Sequence, residues 1–217
     1  MTSTDTPAAV RAAFGPYALR HALFYRRPGG LRLDLCDTGA LLDRVLDGLT
    51  KALAICQDVF AGRPVQVCLV RTLAGNAFSF RHALRELRCA GVVPSAWLCG
   101  WIDTTYPADD AQHDPDRQVL NIVFDLPAAR LRNLLWCALV AEMCADVRPN
   151  PVCEVYLLDL ATGVLVHPYD HRGMDVVGGS FDVMRALYLR HERHLLDYDR
   201  AVMDRVFRSD DAGGFTV

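Results

Sequence analysis

The sequence predicts an α/β domain of the α+β type: a mixed β-sheet with helices packed against it, closing in a C-terminal hairpin and two helices. Three observations lead there. Apolar residues recur at helical spacing in two long stretches, and short alternating or continuous apolar runs fall between them. With 52% apolar and 23% charged residues over 217 positions, the chain can bury a core, which excludes disordered and low-complexity classes. The longest wholly apolar run, Leu134–Ala141, is far short of the ~18 residues a membrane-spanning helix needs. Residues 1–18 read as a flexible lead-in broken by Gly15–Pro16, 19–208 as one domain, and 209–217 as a flexible Gly/Asp tail.

Taken in order, Leu31–Cys36 alternates after the Pro28–Gly29–Gly30 turn and predicts a strand. Gly39–Phe60 predicts a helix with Leu42, Val45, Leu46, Leu49, Leu53, Cys56 and Phe60 on one face. Asp37 or Thr38 is its expected cap, and Gly62 with Pro64 its stop. Pro64–Arg71 reads as a buried strand, Ser79–Cys89 as a short helix, and Ala96–Ile102 as a strand in which Gly100 marks a bulge or a close approach. Gln118–Phe124 is strand-like, and Pro127–Ala145, capped by Asp125, is the second strong helix. Cys153–Leu160 and Val164–His167 form a hairpin, with Gly163 taking positive φ in its turn. A loop, a short strand at Val176–Val177, a helix from Phe181 to His191 capped by Ser180, and a last helix over Tyr198–Phe207 complete the chain.

The net charge of −3 argues against a general nucleic-acid binder, whose affinity comes from many phosphate contacts. Arginine outnumbers lysine 22 to 1, and aspartate outnumbers glutamate 22 to 4, a balance suited to bidentate Arg–Asp pairs and turn caps. Charge is uneven along the chain. Residues 103–116 hold Asp103, Asp109, Asp110, Asp114 and Asp116 with no Arg or Lys. With Tyr106 as an anchor, this run is the expected face for a basic protein partner. The eight cysteines show neither a CxxC pair nor zinc-finger spacing and sit mostly in apolar patterns. Reduced thiols, no signal peptide at Met1–Ala9 and hence a cytoplasmic location are the expectation.

The densest polar stretch is Val164–Asp175 with its echo at Leu195–Arg200. Gly173 implies a turn that aims Arg172, and Asp170, Asp175, Asp197 and Asp199 are short carboxylates available to Arg172 and Arg200. These six residues predict one bidentate Arg–Asp network docking the last helix on the hairpin. The stretch resembles the C-terminal signature of the bacterial domain-of-unknown-function family 3885: Tyr-Asp-Asp-Arg-Gly-Met/Leu-Asp, then Trp-Leu-Leu-Asp-Tyr-Asp-Arg and a final Phe. Tyr169, Asp170, Arg172, Gly173, Met174, Asp175, Leu195, Leu196, Asp197, Tyr198, Asp199, Arg200 and Phe207 match it. His171 stands where Asp is usual and His194 where Trp is usual. The resemblance implies kinship and no activity.

No nucleophile elbow, phosphate loop or metal-ligand spacing accompanies this motif, and no cofactor, metal or catalytic residue is predicted. His167 and His171 lie four apart, but Pro168 excludes the helix that would put them on one face. The expected function is non-enzymatic protein binding, most concretely by an immunity-type protein that neutralises a basic toxin. The alternatives are a metal-dependent hydrolase using Asp170, His171, Asp175 and Asp199, and a prophage-type nucleic-acid binder acting through the basic N-terminal third.

Overall fold

The computed structural model describes residues 6–15, 18–36, 38–73, 79–93, 96–103, 118–143 and 147–208. Seven strands form one sheet: β1 (Leu31–Asp34), β2 (Val65–Leu73), β3 (Ala96–Asp103), β4 (Gln118–Leu126), β5 (Glu154–Asp159), β6 (Val164–Asp170) and β7 (Gly173–Gly178). Their order is β1-β7-β6-β5-β2-β4-β3. Seven helices accompany them: α1 (Thr6–Phe14), α2 (Leu23–Arg26), α3 (Leu41–Phe60), α4 (Ser79–Cys89), α5 (Leu131–Leu139), α6 (Phe181–Arg190) and α7 (Arg200–Phe207). The fold is α+β, and among the described residues no helix is long and apolar enough to cross a membrane.

The sheet is antiparallel at every pairing, where a mixed one is expected. The connections explain the difference. β1–α3–β2, β2–α4–β3 and β4–α5–β5 each join strands that run the same way, as a crossover unit does. An antiparallel strand, or three in the first case, is slotted into each of those gaps. Alternating strands and helices are therefore visible in the sequence, while the interposed partners are not.

Strand alternation gives the sheet two apolar faces. Val65, Val67 and Leu69 of β2 join Leu49, Ile55, Leu134, Met184 and Met203 in the larger core beneath α3–α7. Cys68 and Val70 face the other way, into a smaller core closed by Val10 and Phe14 of α1 and Leu23 of α2. Residues 6–14, expected in a flexible lead-in, thus form a docked helix. Val10 and Phe14 lie one turn apart on a single face, and burying them stabilises it by roughly 1.5–3 kcal/mol per side chain. The tail from 209 lies outside the described residues.

Most elements stand where periodicity places them, and Gly163 takes its positive φ, but the bulge in β3 falls between Trp97 and Cys99 while Gly100 pairs regularly with Ile122. Ser180 caps α6 through its hydroxyl, which accepts from Val183 N. Three readings are corrected. α3 buries Val45, Leu49, Ala52, Ile55, Cys56, Val59 and Phe60 but leaves Leu42 and Leu46 exposed. It is turned so that Gly48 meets the sheet, where an added Cβ would lie 3.0 Å from the His171 carbonyl. The N-cap positions of α3 and α5 are Ala40 and Arg130, neither capping through its side chain, and Asp37 lies outside the described residues; α5 is shorter than its apolar pattern and follows a 3₁₀ turn at Ala128–Arg130. The stretch from Pro168 to Asp175, read as a loop, is the end of β6, a two-residue turn and the start of β7.

Candidate functional site

The family-like signature is a second hairpin and the segment that meets it. Asp170 closes β6 and His171–Arg172 form the turn. The buried Asp170 carboxylate accepts from the Arg172 backbone N at 2.7 Å, from its Nε at 2.8 Å and from its Nη2. His171 accepts from Arg44 Nη2 at 2.8 Å, and burial together with the Arg44 and Arg172 charges holds its pKa below the usual value. Gly173 is required by a close approach and not by a positive φ. A Cβ there would lie 2.0 Å from the Tyr169 hydroxyl and 2.9 Å from the Leu33 carbonyl.

The second half of the signature covers the outer edge of β1. Leu195 bridges to Leu33, and Leu196 N donates to the Arg32 carbonyl at 2.9 Å. β1 is therefore held by β7 on one side and by Leu195–Leu196 on the other, which occupies an edge that would otherwise offer unpaired backbone groups. This arrangement delivers Asp199 to Arg32. Arg32 Nη1 lies 3.3 Å from Asp199 Oδ2, and its Nε lies 3.7 Å from Asp175 Oδ1. The guanidinium sits over the rings of Tyr25 and Tyr169, at 5.0 and 5.6 Å from their centroids. Tyr25 OH donates to Asp199 at 3.0 Å, and Phe24 N to Asp175 Oδ2 at 3.2 Å.

The single six-residue network is thus corrected to two clusters centred on different arginines. Arg172 serves Asp170 alone among the four aspartates, and Arg32, from the far end of the sequence, serves Asp175 and Asp199. Arg200 binds the Glu192 carbonyl, at 3.0 Å from both terminal nitrogens, and keeps one expected partner, Asp197, whose exposed carboxylate lies 4.0 Å from its Nη1, while Tyr198 is exposed. The last helix begins at Arg200, two residues later than expected, which accounts for this. Asp197–Asp199 is a 3₁₀ turn, so Asp199 faces inward and Arg200 outward. Of the expected partner face, Asp103 ends β3 with Arg20 4.0 Å away, and Tyr106, Asp109, Asp110, Asp114 and Asp116 lie outside the described residues.

Burial pushes the Asp175 carboxyl up to about 6, outweighing the bond from Phe24 and the Arg32 charge. A raised carboxyl favours the folded state fully below its unfolded value of roughly 4, and that contribution is lost as pH rises through about 6. Asp175→Asn removes it. Relative to the native chain, the variant should gain on the order of 2–3 kcal/mol between about pH 4 and about pH 7. Denaturant unfolding at both ends of that range measures the difference, and parallel profiles would refute the shift.

Beside this clasp, on the same face of the sheet, lies a group that sequence reasoning misses. Arg32, Asp175 and His167 are consecutive cross-strand partners on β1, β7 and β6. Tyr156 of β5 continues the row, its ring stacked on His167 with centroids 4.2 Å apart and planes within 10°. Glu154, two residues before Tyr156, accepts from Tyr156 OH at 2.7 Å and pairs with His21 Nε2 at 3.0 Å. Burial alone would raise the Glu154 carboxyl, but the bonds from His21 and Tyr156 and the nearby imidazoles hold it below its usual value. Burial drives His167 down to about 4, so its ring is neutral. His21, Glu154 and His167 line a cleft of about 350 Å³, lined also by Arg71, Glu142 and Cys153. His21, Glu154 and His167 each place a ligand atom within 4.8 Å of the others, and Asp170, His171, Asp175 and Asp199 do not belong to that group. Alternation along β5 and β6 could have put Glu154, Tyr156, His167 and Tyr169 on one face; nothing local ties His21 to them.

No match is found among curated proteins or among solved structures. Residues 7–199 match the family described as a domain of unknown function, DUF3885, a span that takes in α1, the whole sheet and the signature through Asp199. With the Tyr169–Asp175 hairpin and the Leu195–Asp199 edge segment both inside that span, the chain belongs to the DUF3885 family.

Proposed function

We propose that the protein is a non-enzymatic protein-binding domain acting in the cytoplasm, in its most specific form an immunity-type protein that neutralises a basic toxin. The observation that carries this reading is the occupation of the signature carboxylates. Asp170, Asp175 and Asp199 each face a guanidinium inside the fold, which supports an architectural role over a reaction centre. A hydrolase built on Asp170, His171, Asp175 and Asp199 needs them to converge on one open point. Instead, Asp170 and His171 engage Arg172 and Arg44, while Asp175 and Asp199 engage Arg32. The five-aspartate run begins where β3, an edge strand of the sheet, ends, so the negative charge is tethered to a rigid border. Such a stretch steers a basic partner during encounter. Among the described residues no cysteine is in a disulfide, in keeping with a reducing compartment.

Affinity capture with the full chain at low salt tests the reading. A stoichiometric basic toxin domain should be retained, released by salt, and lost when Asp109, Asp110, Asp114 and Asp116 are all replaced by Asn. Capture of no such partner, or retention by the quadruple variant equal to the native chain, would overturn it.

A further inference from the structure

We infer that His21, Glu154 and His167 form a binding site for one divalent first-row transition ion of the zinc class, open to the cleft between α5 and the His21 turn. The donor set is two imidazoles and one carboxylate, which suits such ions and suits neither calcium nor magnesium, whose shells are built of oxygen. The decisive group is His167. Its ring is buried, and its Nδ1–H donates to the Val155 carbonyl at 3.1 Å, which fixes the tautomer and leaves Nε2 as the nitrogen that carries a lone pair. That Nε2 is buried and has no hydrogen-bond partner. A buried acceptor without a partner is costly, and a backbone carbonyl behind the other ring nitrogen is the support that metal-bound histidines have. Tyr156 stacked on the ring holds its plane.

Glu154 and His21 complete the set from opposite directions. Glu154 is carried by β5, next to the strand that carries His167, and Tyr156 OH steadies the carboxylate oxygen turned away from His21. His21 sits on the exposed turn before α2 and bonds the other oxygen. Ligand atoms around a tetrahedral ion lie roughly 3.4 Å apart, so a group spread over as much as 4.8 Å must close by about 1 Å. His21 and Glu154 already lie 3.0 Å apart, so the movement brings these side chains and the His167 ring together. Three protein ligands leave a fourth position facing the cleft, the arrangement of an ion that receives a further ligand. This site is independent of the protein-binding reading, since it shares no residue with the acidic run.

Titration of the full chain with Co²⁺, followed by visible absorption, and with Zn²⁺, followed by calorimetry, tests the inference. One ion per chain should bind, and His21→Ala, on the exposed turn, should weaken binding by about 100-fold with the fold unchanged. Glu154→Gln should weaken it comparably, and His167→Gln should abolish it. Absence of a bound equivalent would overturn the site. So would binding that His21→Ala and Glu154→Gln leave intact, or a strong near-ultraviolet thiolate band placing the ion on cysteine.

Discussion

Arg32→Ala should lower the unfolding free energy by about 3–5 kcal/mol, the range for stripping one partner from a buried ion pair. Arg32 is the guanidinium within reach of two carboxylates whose side chains are only 1% and 5% exposed. Its removal leaves Asp175 and Asp199 facing each other across the vacated space with one fewer neutralising charge. It also takes away the cation lying over Tyr25 and Tyr169. Asp175 can relieve part of the loss by taking up a proton, because burial has already lifted it to about 6. The penalty should therefore be greater at about pH 8 than at about pH 5, and Asp175→Asn placed in the Arg32→Ala background should recover part of it. Denaturant unfolding of the two singles and the double at both pH values gives the answer. A loss under about 1 kcal/mol, unchanged with pH, would show that the aspartates are neutralised by something else.

Gly173→Ala should cost roughly 3 kcal/mol or more, at the upper end for overpacking. A methyl at that point would overlap the Tyr169 ring, with Cζ at 2.6 Å, and press on the Leu33 carbonyl at 2.9 Å. The ring could swing away, but it lies over Arg32, so movement would loosen the clasp that Arg32 organises. The carbonyl belongs to β1 and can move only with that strand. Tyr169→Ala in the same chain should relieve the ring overlap while leaving the carbonyl contact. The double variant should thus be less destabilised than the sum of the singles. Simple additivity would mean that glycine is needed there for another reason.

The elements with strong periodicity were readable from the residues alone, and the reason is local. β2 shows Val65, Val67 and Leu69 against Cys68 and Val70, because the pattern is written within one pleat. The signature was readable as an Arg–Asp assembly, and Asp170 with Arg172 is a contact between residues two apart. What escaped depends on distance along the chain. Nothing near Asp199 points to Arg32, 167 residues away, whereas Arg200 stands beside it and invites the wrong pairing. The same holds for His167, whose ligand-like partners come from β5 and from the turn before α2 rather than from His171. Antiparallel pairing was hidden for a related reason, since each helix-linked pair of strands is separated by a strand from elsewhere.

The placement of β1 between β7 and Leu195–Leu196 has a consequence for the order of assembly. Leu31 finds its neighbour at Val176, so a ribosome that has emitted β1 through β5 has yet to make either flank of that strand. Until β7 and Leu195–Asp199 emerge, β1 must wait with its backbone uncommitted and Arg32 without its acidic partners. Such remote pairing slows folding, because a long loop must close before any contact rewards it. The signature residues at 169–175 and 195–200 then seat the first strand, and they do so only after the five strands between them have been made.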